Sequence, residues 1–180
     1  KTTRKARREH LMSNIVQTTH TISLLVANKP GVLLRITMVF ARRGFNIESL
    51  VVSSAFDGTF SRMTITANGD QKDLDQIVKQ IAKLIDVIEA KDNQDSTAVE
   101  REFAMVKLNV PVNKRQELLQ ITDHFKAKTL DLTQESLIIE IAGDTSKINA
   151  CLDLLKNYKV VELVRSGKMV IERDHTDAPE

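Results

Sequence analysis

The residue types that do chemistry are thinly spread along this chain. Its histidines are His10, His20, His124 and His175, its single cysteine is Cys151, and no spacing among them builds a Cys/His metal site. Cys151 falls between Ile148 and Leu155 on an apolar helix face, so it is expected in the core rather than as a reactive thiol. Asp131 and Glu135 are close enough in sequence for acid–base work, but they flank an expected hairpin tip and read as a solvated turn. The six glycines occur singly, each explicable as a turn or cap, and make no phosphate cradle. One stretch is left: Asn28-Lys29-Pro30-Gly31-Val32-Leu33. A strand ends there, the chain turns, and a helix begins, so unpaired N–H groups and a partial positive charge are offered to a small carboxylate. Gly31 has no side chain to hold a ligand off, and the Asn28 amide can bridge carboxylate and ammonium. A plain helix cap at Asn28 with a first-turn proline at Pro30 explains the same residues. Both readings stand on the residues alone.

The elements around this loop follow from periodicity. Ile22, Leu24 and Val26 alternate along a strand from His20 to Ala27, and Val32, Leu33, Ile36, Val39 and Phe40 follow at helical spacing. Arg42 and Arg43 suit the negative end of that helix, and Gly44 its left-handed stop. A strand from Asn46 to Phe56 meets Asp57-Gly58, a two-residue hairpin signal, and a strand from Phe60 to Ala67 returns. Met63, Ile65 and Ala67 are expected on one face of it and Arg62, Thr64 and Thr66 on the other. A helix carrying Leu74, Ile77, Val78, Ile81 and Leu84 and a short strand at Val87–Ala90 complete the series. Strand, helix, strand, strand, helix, strand is the ferredoxin-like βαββαβ order, an α+β fold with two helices on one face of an antiparallel sheet.

The order then repeats in pattern, without residue identity between the halves. Strand Phe103–Val110 precedes a helix from Asn113, its expected cap, to about Lys126, with Leu118, Leu119, Thr122 and Phe125 inward. Strands Thr129–Thr133 and Leu137–Ala142, a helix through Ile148, Cys151, Leu152 and Leu155, and strands Val160–Val164 and Met169–Glu172 follow. The division is a basic extension at 1–19, a first domain at 20–91, a linker at 92–99, a second domain at 100–174 and a tail at 175–180.

Composition bounds the function. The chain has 180 residues, 42% apolar and 28% charged, which is ordinary for a globular protein. No stretch is long and apolar enough for a membrane span or a secretory signal. With a lone cysteine, this points to the cytoplasm. The net charge is +2, yet Lys1, Arg4, Lys5, Arg7 and Arg8 against Glu9 give the first ten residues +4; subtracting leaves −2 for the rest. Such an arm can touch nucleic acid, but no aromatic interleaving or nucleic-acid motif accompanies it, and a simple terminal extension is expected.

The stretches His20-Thr-Ile-Ser-Leu-Leu-Val-Ala-Asn-Lys-Pro-Gly-Val-Leu33 and Phe40-Ala-Arg-Arg-Gly-Phe-Asn-Ile-Glu-Ser-Leu50 carry a family resemblance. With Ser61–Ile65, Val99-Glu-Arg-Glu102 and Val161-Glu-Leu-Val-Arg-Ser-Gly167, they resemble the small regulatory subunit of acetolactate synthase over roughly residues 20–173. The resemblance implies that the first domain is an ACT domain, the amino-acid-sensing version of the ferredoxin-like fold, and that the second is ferredoxin-like as well. It implies a chain without an active site that binds the large catalytic subunit, activates it and confers feedback inhibition, usually by valine. Thiamine diphosphate, Mg2+ and FAD would then sit on that large subunit, with no cofactor in this chain. Effector contacts carry over to Asn28, Gly31 and Asn46, with Val32, Leu33 and Ile47 as apolar neighbours. The family resemblance also implies a homodimer with sheets side by side and the effector at the interface.

Two competing functions are weaker. An amino-acid-responsive transcription regulator needs a DNA-reading element, and the 19-residue extension leaves little room for one. A stand-alone enzyme needs an acid–base constellation that the sequence does not supply.

Overall fold

The computed structural model describes residues 18–93 and 98–173. Most of the basic extension, the middle of the linker, the tail, His10 and His175 lie outside the described residues. The chain forms two units, divided between Ser96 and Thr97.

In the first unit, β1 (Thr18–Ala27), α1 (Val32–Arg42), β2 (Ile47–Ser54), β3 (Phe60–Gly69), α2 (Gln71–Ile81) and β4 (Val87–Asp92) follow in order. The strands make one antiparallel sheet ordered β2-β3-β1-β4. β1 and β3 are paired from Thr18↔Gly69 to Ala27↔Phe60, which brings the end of β1 beside the β2–β3 turn. Ile22, Leu24, Val26, Met63, Ile65 and Ala67 line one sheet face and meet the buried stripes of the helices: Val32, Ile36 and Phe40 from α1, and Leu74, Ile77 and Ile81 from α2. Each large side chain buried this way contributes roughly 1.5–3 kcal/mol. The helix stripes repeat at three and four residues and the strand positions at two, which is why the two element types can share one core.

Several details differ from the sequence expectation. β2 ends at Ser54 rather than at Phe56, whose ring is fully exposed in the turn, and Asn46 lies just before the strand. Thr64 and Thr66 do lie opposite the core face, yet both are buried, as is Thr21 beside them. Asn68 and Gly69 remain in β3, and Asp70 alone starts α2, its carboxylate accepting from the Lys72 N–H at 3.2 Å. Gly44 has φ 72 and ends α1 as expected.

The second unit runs β5 (Val99–Asn109), a tight 3-10 turn (Val112–Lys114), α3 (Arg115–His124), β6 (Lys128–Leu132), β7 (Ser136–Gly143), α4 (Thr145–Leu155), β8 (Lys159–Arg165) and β9 (Met169–Ile171). Its sheet is ordered β6-β7-β5-β8, and β9 pairs with the outer end of β5. Val106, Leu108, Ile139 and Ile141 pack against Leu118 of α3 and Ile148, Cys151 and Leu155 of α4. Asn113 is not a helix cap. It lies inside the 3-10 turn, where the Lys114 N–H is held by the Pro111 carbonyl at 3.0 Å, so the helix starts only at Arg115. Leu119, expected inward, is only half-buried. Among the described residues no helix is long and apolar enough to cross a membrane.

Gly69 shows how tightly the first core closes. A Cβ added there would lie 2.4 Å from Phe45 Cε1 and 3.2 Å from Leu74 Cδ1. Gly69→Ala is therefore expected to cost ~1–3 kcal/mol through overpacking, read as a lower urea midpoint at unchanged slope.

Candidate functional site

The loop after β1 is fixed at both sides before it turns. The Ala27 N–H donates to the Asp86 carbonyl at 2.8 Å, and the Asn28 N–H to the Thr59 carbonyl at 2.9 Å. The Asn28 side chain donates through Nδ2 to the Gly58 carbonyl at 3.0 Å. Asn28 is thus not the helix cap that its residue type allows. That position belongs to Gly31, at φ 82 and ψ −8, with no side-chain cap bond. A left-handed residue closes the turn there, and glycine alone takes it without strain. A Cβ would also come within 3.1 Å of Arg35 Nη1. No acidic residue occupies the first turn of α1, so its positive end and its unpaired N–H groups remain uncompensated by side chains.

Not all the expected site residues converge within one chain. Asn28, Gly31 and Leu33 lie at one end of the sheet, where Ala27 pairs with Phe60. Ile47, preceded by Asn46, lies at the other, paired with Ala67. Seven residue steps along β3, from Phe60 to Ala67, separate those two rows, roughly 23 Å at the usual rise of a strand. Val32 is 2% exposed and committed to the core, so its side chain belongs to helix–sheet packing and only its backbone faces the loop. Leu33 is 40% exposed, and Ile47 is half-buried against the core. Asn46 Nδ2 donates to Glu48 Oε1 at 2.9 Å.

The sequence reading missed the tie to the β2–β3 turn. Asp57-Gly58 is legible as a turn, but nothing local tells that its carbonyls receive Asn28. Thr59, through its hydroxyl and then its N–H, holds the Asp57 carboxyl below the ordinary carboxylate range. An Arg35–Asp86 ion pair, also invisible locally, fastens α1 to the chain entering β4.

The other chemical candidates resolve as structure. His20 is fully buried between Thr18 Oγ1, at 2.9 Å, and Asp92 Oδ2, at 2.6 Å, tying β1 to the end of β4. Asp131 and Glu135 are exposed in β6 and the turn after it. Among the described residues no group of three or more His, Cys, Asp or Glu is placed to hold a metal ion. Cys151 is fully buried, and burial pushes its thiol above the ordinary value of 9.0 against an opposing contribution from Lys147.

The family model of the acetohydroxyacid synthase small-subunit-like ACT domain matches residues 22–89, and that of the small subunit of acetolactate synthase matches residues 101–174. The chain belongs to the acetolactate synthase small-subunit family. A probable acetolactate synthase small subunit of Archaeoglobus fulgidus is 44% identical over 154 residues, which cover 86% of this chain and 96% of that protein. The acetolactate synthase small subunit of Mycobacterium leprae is 41% identical over 155 residues, covering 86% of this chain and 92% of its own. The crystal structure of the acetolactate synthase small subunit from Thermotoga maritima superposes with a TM-score of 0.77 at 38% identity, over 87% of this chain and 98% of the other.

In this small subunit, the stretches Val99–Glu102 and Val161–Gly167 meet in the second unit. Glu102 is 6% exposed; its Oε2 takes Arg165 Nη2 and its Oε1 the Thr145 hydroxyl at 3.2 Å, while Arg165 Nη1 donates to Asn149 Oδ1 at 3.0 Å. Lys168 Nζ meets Glu100 Oε2 at 2.9 Å, and Ser166 exchanges bonds with Phe103. The charges thereby pin the junction from β8 to β9 along β5.

Three outcomes can be measured. Removing Glu102 strands an Arg165 side chain that is 32% exposed, so Glu102→Ala is expected to cost ~2–3 kcal/mol, discounted from a fully buried pair. Asp153→Ala, at an exposed pair with Lys156, should change the urea midpoint little. Because the folded thiol value of Cys151 is raised, its contribution to stability is complete below the unfolded value of 9.0 and is lost as pH rises through the folded one. Iodoacetamide at pH ~8 should accordingly label the urea-unfolded chain and leave the native chain largely unlabelled.

Proposed function

We propose that the chain is the regulatory subunit of a cytoplasmic acetolactate synthase, activating the large catalytic subunit and making it sensitive to valine in branched-chain amino-acid biosynthesis. The chain itself is non-catalytic in this reading. Thiamine diphosphate, Mg2+ and FAD would belong to the large subunit.

The observation that supports an effector site is the uncapped start of α1 at a left-handed Gly31 beside Asn28. Valine's carboxylate would be received by the first-turn N–H groups of α1. Asn28, with Nδ2 committed to Gly58, offers Oδ1 to the ammonium. Leu33, on the exposed side of that first turn, offers apolar surface to the isopropyl group.

Asn46 and Ile47 join such a site only from a second copy. β2 is an edge strand. If two copies pair their β2 strands antiparallel about a two-fold axis, the Ile47 end of one lies against the Ser54 end of the other. The Asn28 loop stands at that Ser54 end, since Asn28 is bonded to Gly58 and Thr59 of the following turn. Each homodimer would then hold two equivalent sites, each with the loop of one protomer and Asn46 and Ile47 of its partner.

Asn28→Ala removes ligand bonds worth ~1.5–3 kcal/mol, so the valine needed for half-inhibition of the reconstituted complex should rise roughly 10- to 150-fold while activation persists. An unchanged valine requirement would dismiss the loop as an effector site. A mixing experiment tests the dimer. Asn28→Ala and Asn46→Ala chains should each be insensitive alone, whereas refolding them together should give mixed dimers with one intact site and restored valine inhibition. A site contained within one chain would gain nothing from mixing.

A further inference from the structure

The end of the first unit that carries the Asn28 loop also holds two large apolar side chains in water. Phe56 is fully exposed and Ile85 is 98% exposed. Each stands at the second position of a four-residue turn. The Gly58 N–H closes one turn on the Ala55 carbonyl at 2.9 Å, and the Val87 N–H closes the other on the Leu84 carbonyl at 3.0 Å. Turns are usually built from glycine, proline and short polar residues, and neither side chain joins the core of its unit. Folding therefore gives no reason for a phenylalanine or an isoleucine at these corners.

Both turns are tied to the loop between them. Asn28 reaches the Gly58 and Thr59 carbonyls on one side, and the Ala27 N–H reaches the Asp86 carbonyl on the other. The strands behind the turns, β3 and β4, lie on either side of β1, about 10 Å apart at the usual strand spacing. Phe60, 38% exposed, stands at the foot of the first turn. Together the three side chains offer on the order of 400 Å2 of apolar surface. The largest patch on an ordinary monomer is about 300–600 Å2 and is often functional. With a polar rim, such a patch suits the roughly 800 Å2 per partner of a standard-size interface and falls well short of an obligate homodimer contact. The rim is cationic. Lys29, Arg62 and Lys83 are exposed around it against Asp57, while Arg35 and Asp86 pair with each other.

We infer that this end of the first unit, with Phe56 and Ile85 as anchors, is the surface on which the large catalytic subunit docks. The inference rests on the regulatory reading, which supplies that partner. The surface it fits has two apolar hollows about 10 Å apart, the spacing of two strands, within an acidic rim. Side chains fixed on closed turns lose little freedom when they bind, and aromatic residues are enriched at interface cores. A second copy paired through β2 lies beyond one edge of the sheet, whereas Ile85 leads into β4 at the other edge. The patch as a whole therefore calls for a different partner. Feedback inhibition requires effector and partner to bias each other's binding. Here the effector loop meets both docking turns through direct hydrogen bonds, so a ligand that shifts the loop moves the anchors.

The full chain is titrated against purified large subunit, with binding followed by interferometry and activation by acetolactate formation. Phe56→Ser and Ile85→Ser are each expected to raise the concentration for half-saturation, and for half-maximal activation, roughly tenfold or more. Ile85→Leu, which keeps the apolar area, should behave like the parent. Both side chains are already in water, so the urea midpoints of the serine variants should match the parent's, and sedimentation of the free chain should be unchanged. Added salt should slow association, because the rim charge steers the encounter. If the parent binds and activates the large subunit and both serine variants do so at the parent's concentrations, the docking surface is overturned and the regulatory reading stands. A parent that neither binds nor activates the large subunit overturns both. Loss of self-association in Ile85→Ser would assign the patch to a second copy and overturn the inference as well.

Discussion

The antiparallel pairing of β1 with β3 is the constraint on which the first unit depends. Its register sets Ile22, Leu24 and Val26 beside Ile65, Met63 and Ser61, so the apolar positions of both central strands face the two helices together. A slip of one residue would turn every one of these side chains to the opposite face. The same register ends with Ala27 against Phe60, and so delivers the loop at Asn28 to the carbonyls of Gly58 and Thr59. Core formation and loop placement are one event. The loop needs no packing of its own, because the strands that flank it are already held.

The two units share a topology and differ at the comparable loop. In the first, Gly31 turns the chain through a left-handed residue and leaves the start of α1 without a side-chain cap. In the second, Pro111 leads into a 3-10 turn whose carbonyl binds the Lys114 N–H, and Lys114 itself takes the cap position of α3. A tight turn that satisfies its own donors and ends on a cation presents a different helix start from an open glycine turn. The same strand order therefore offers an anion two unlike surfaces, and function follows the residues at the strand ends rather than the fold.

Charge is handled differently in the two units as well. The first sets Arg35 against Asp86 and hydrogen-bonds the His20 ring to Asp92, each joining distant parts of the chain at the sheet ends. The second buries Glu102 and pairs it with Arg165 and Thr145, Arg165 being held in turn by Asn149. A carboxylate so withdrawn from water must be paired and hydrogen-bonded, and here its partners come from β8 and α4. The requirement fixes where β8 gives way to β9.

The sequence by itself determined the strand and helix order, the two cores and the division into two units, because apolar periodicity is a local property that two residues per repeat or three and four suffice to express. It determined Gly44 as a left-handed stop and Cys151 as a core residue for the same reason. It did not determine Asn113, where the cap preference of the residue type lost to the 3-10 turn set by Pro111. Nor could it determine Asn28, whose amide is taken by a carbonyl 30 residues away rather than by its own helix. Only the tertiary structure decided that Asn28 and Asn46 stand at opposite ends of one sheet, since strand pairing converts separation along the chain into distance. It alone decided that Glu102 and Arg165 meet, and that Val32 belongs to the core rather than to the loop surface. Hydrogen bonds and ion pairs between remote residues carry no periodic signal, so they exist only once the sheets have brought their ends together.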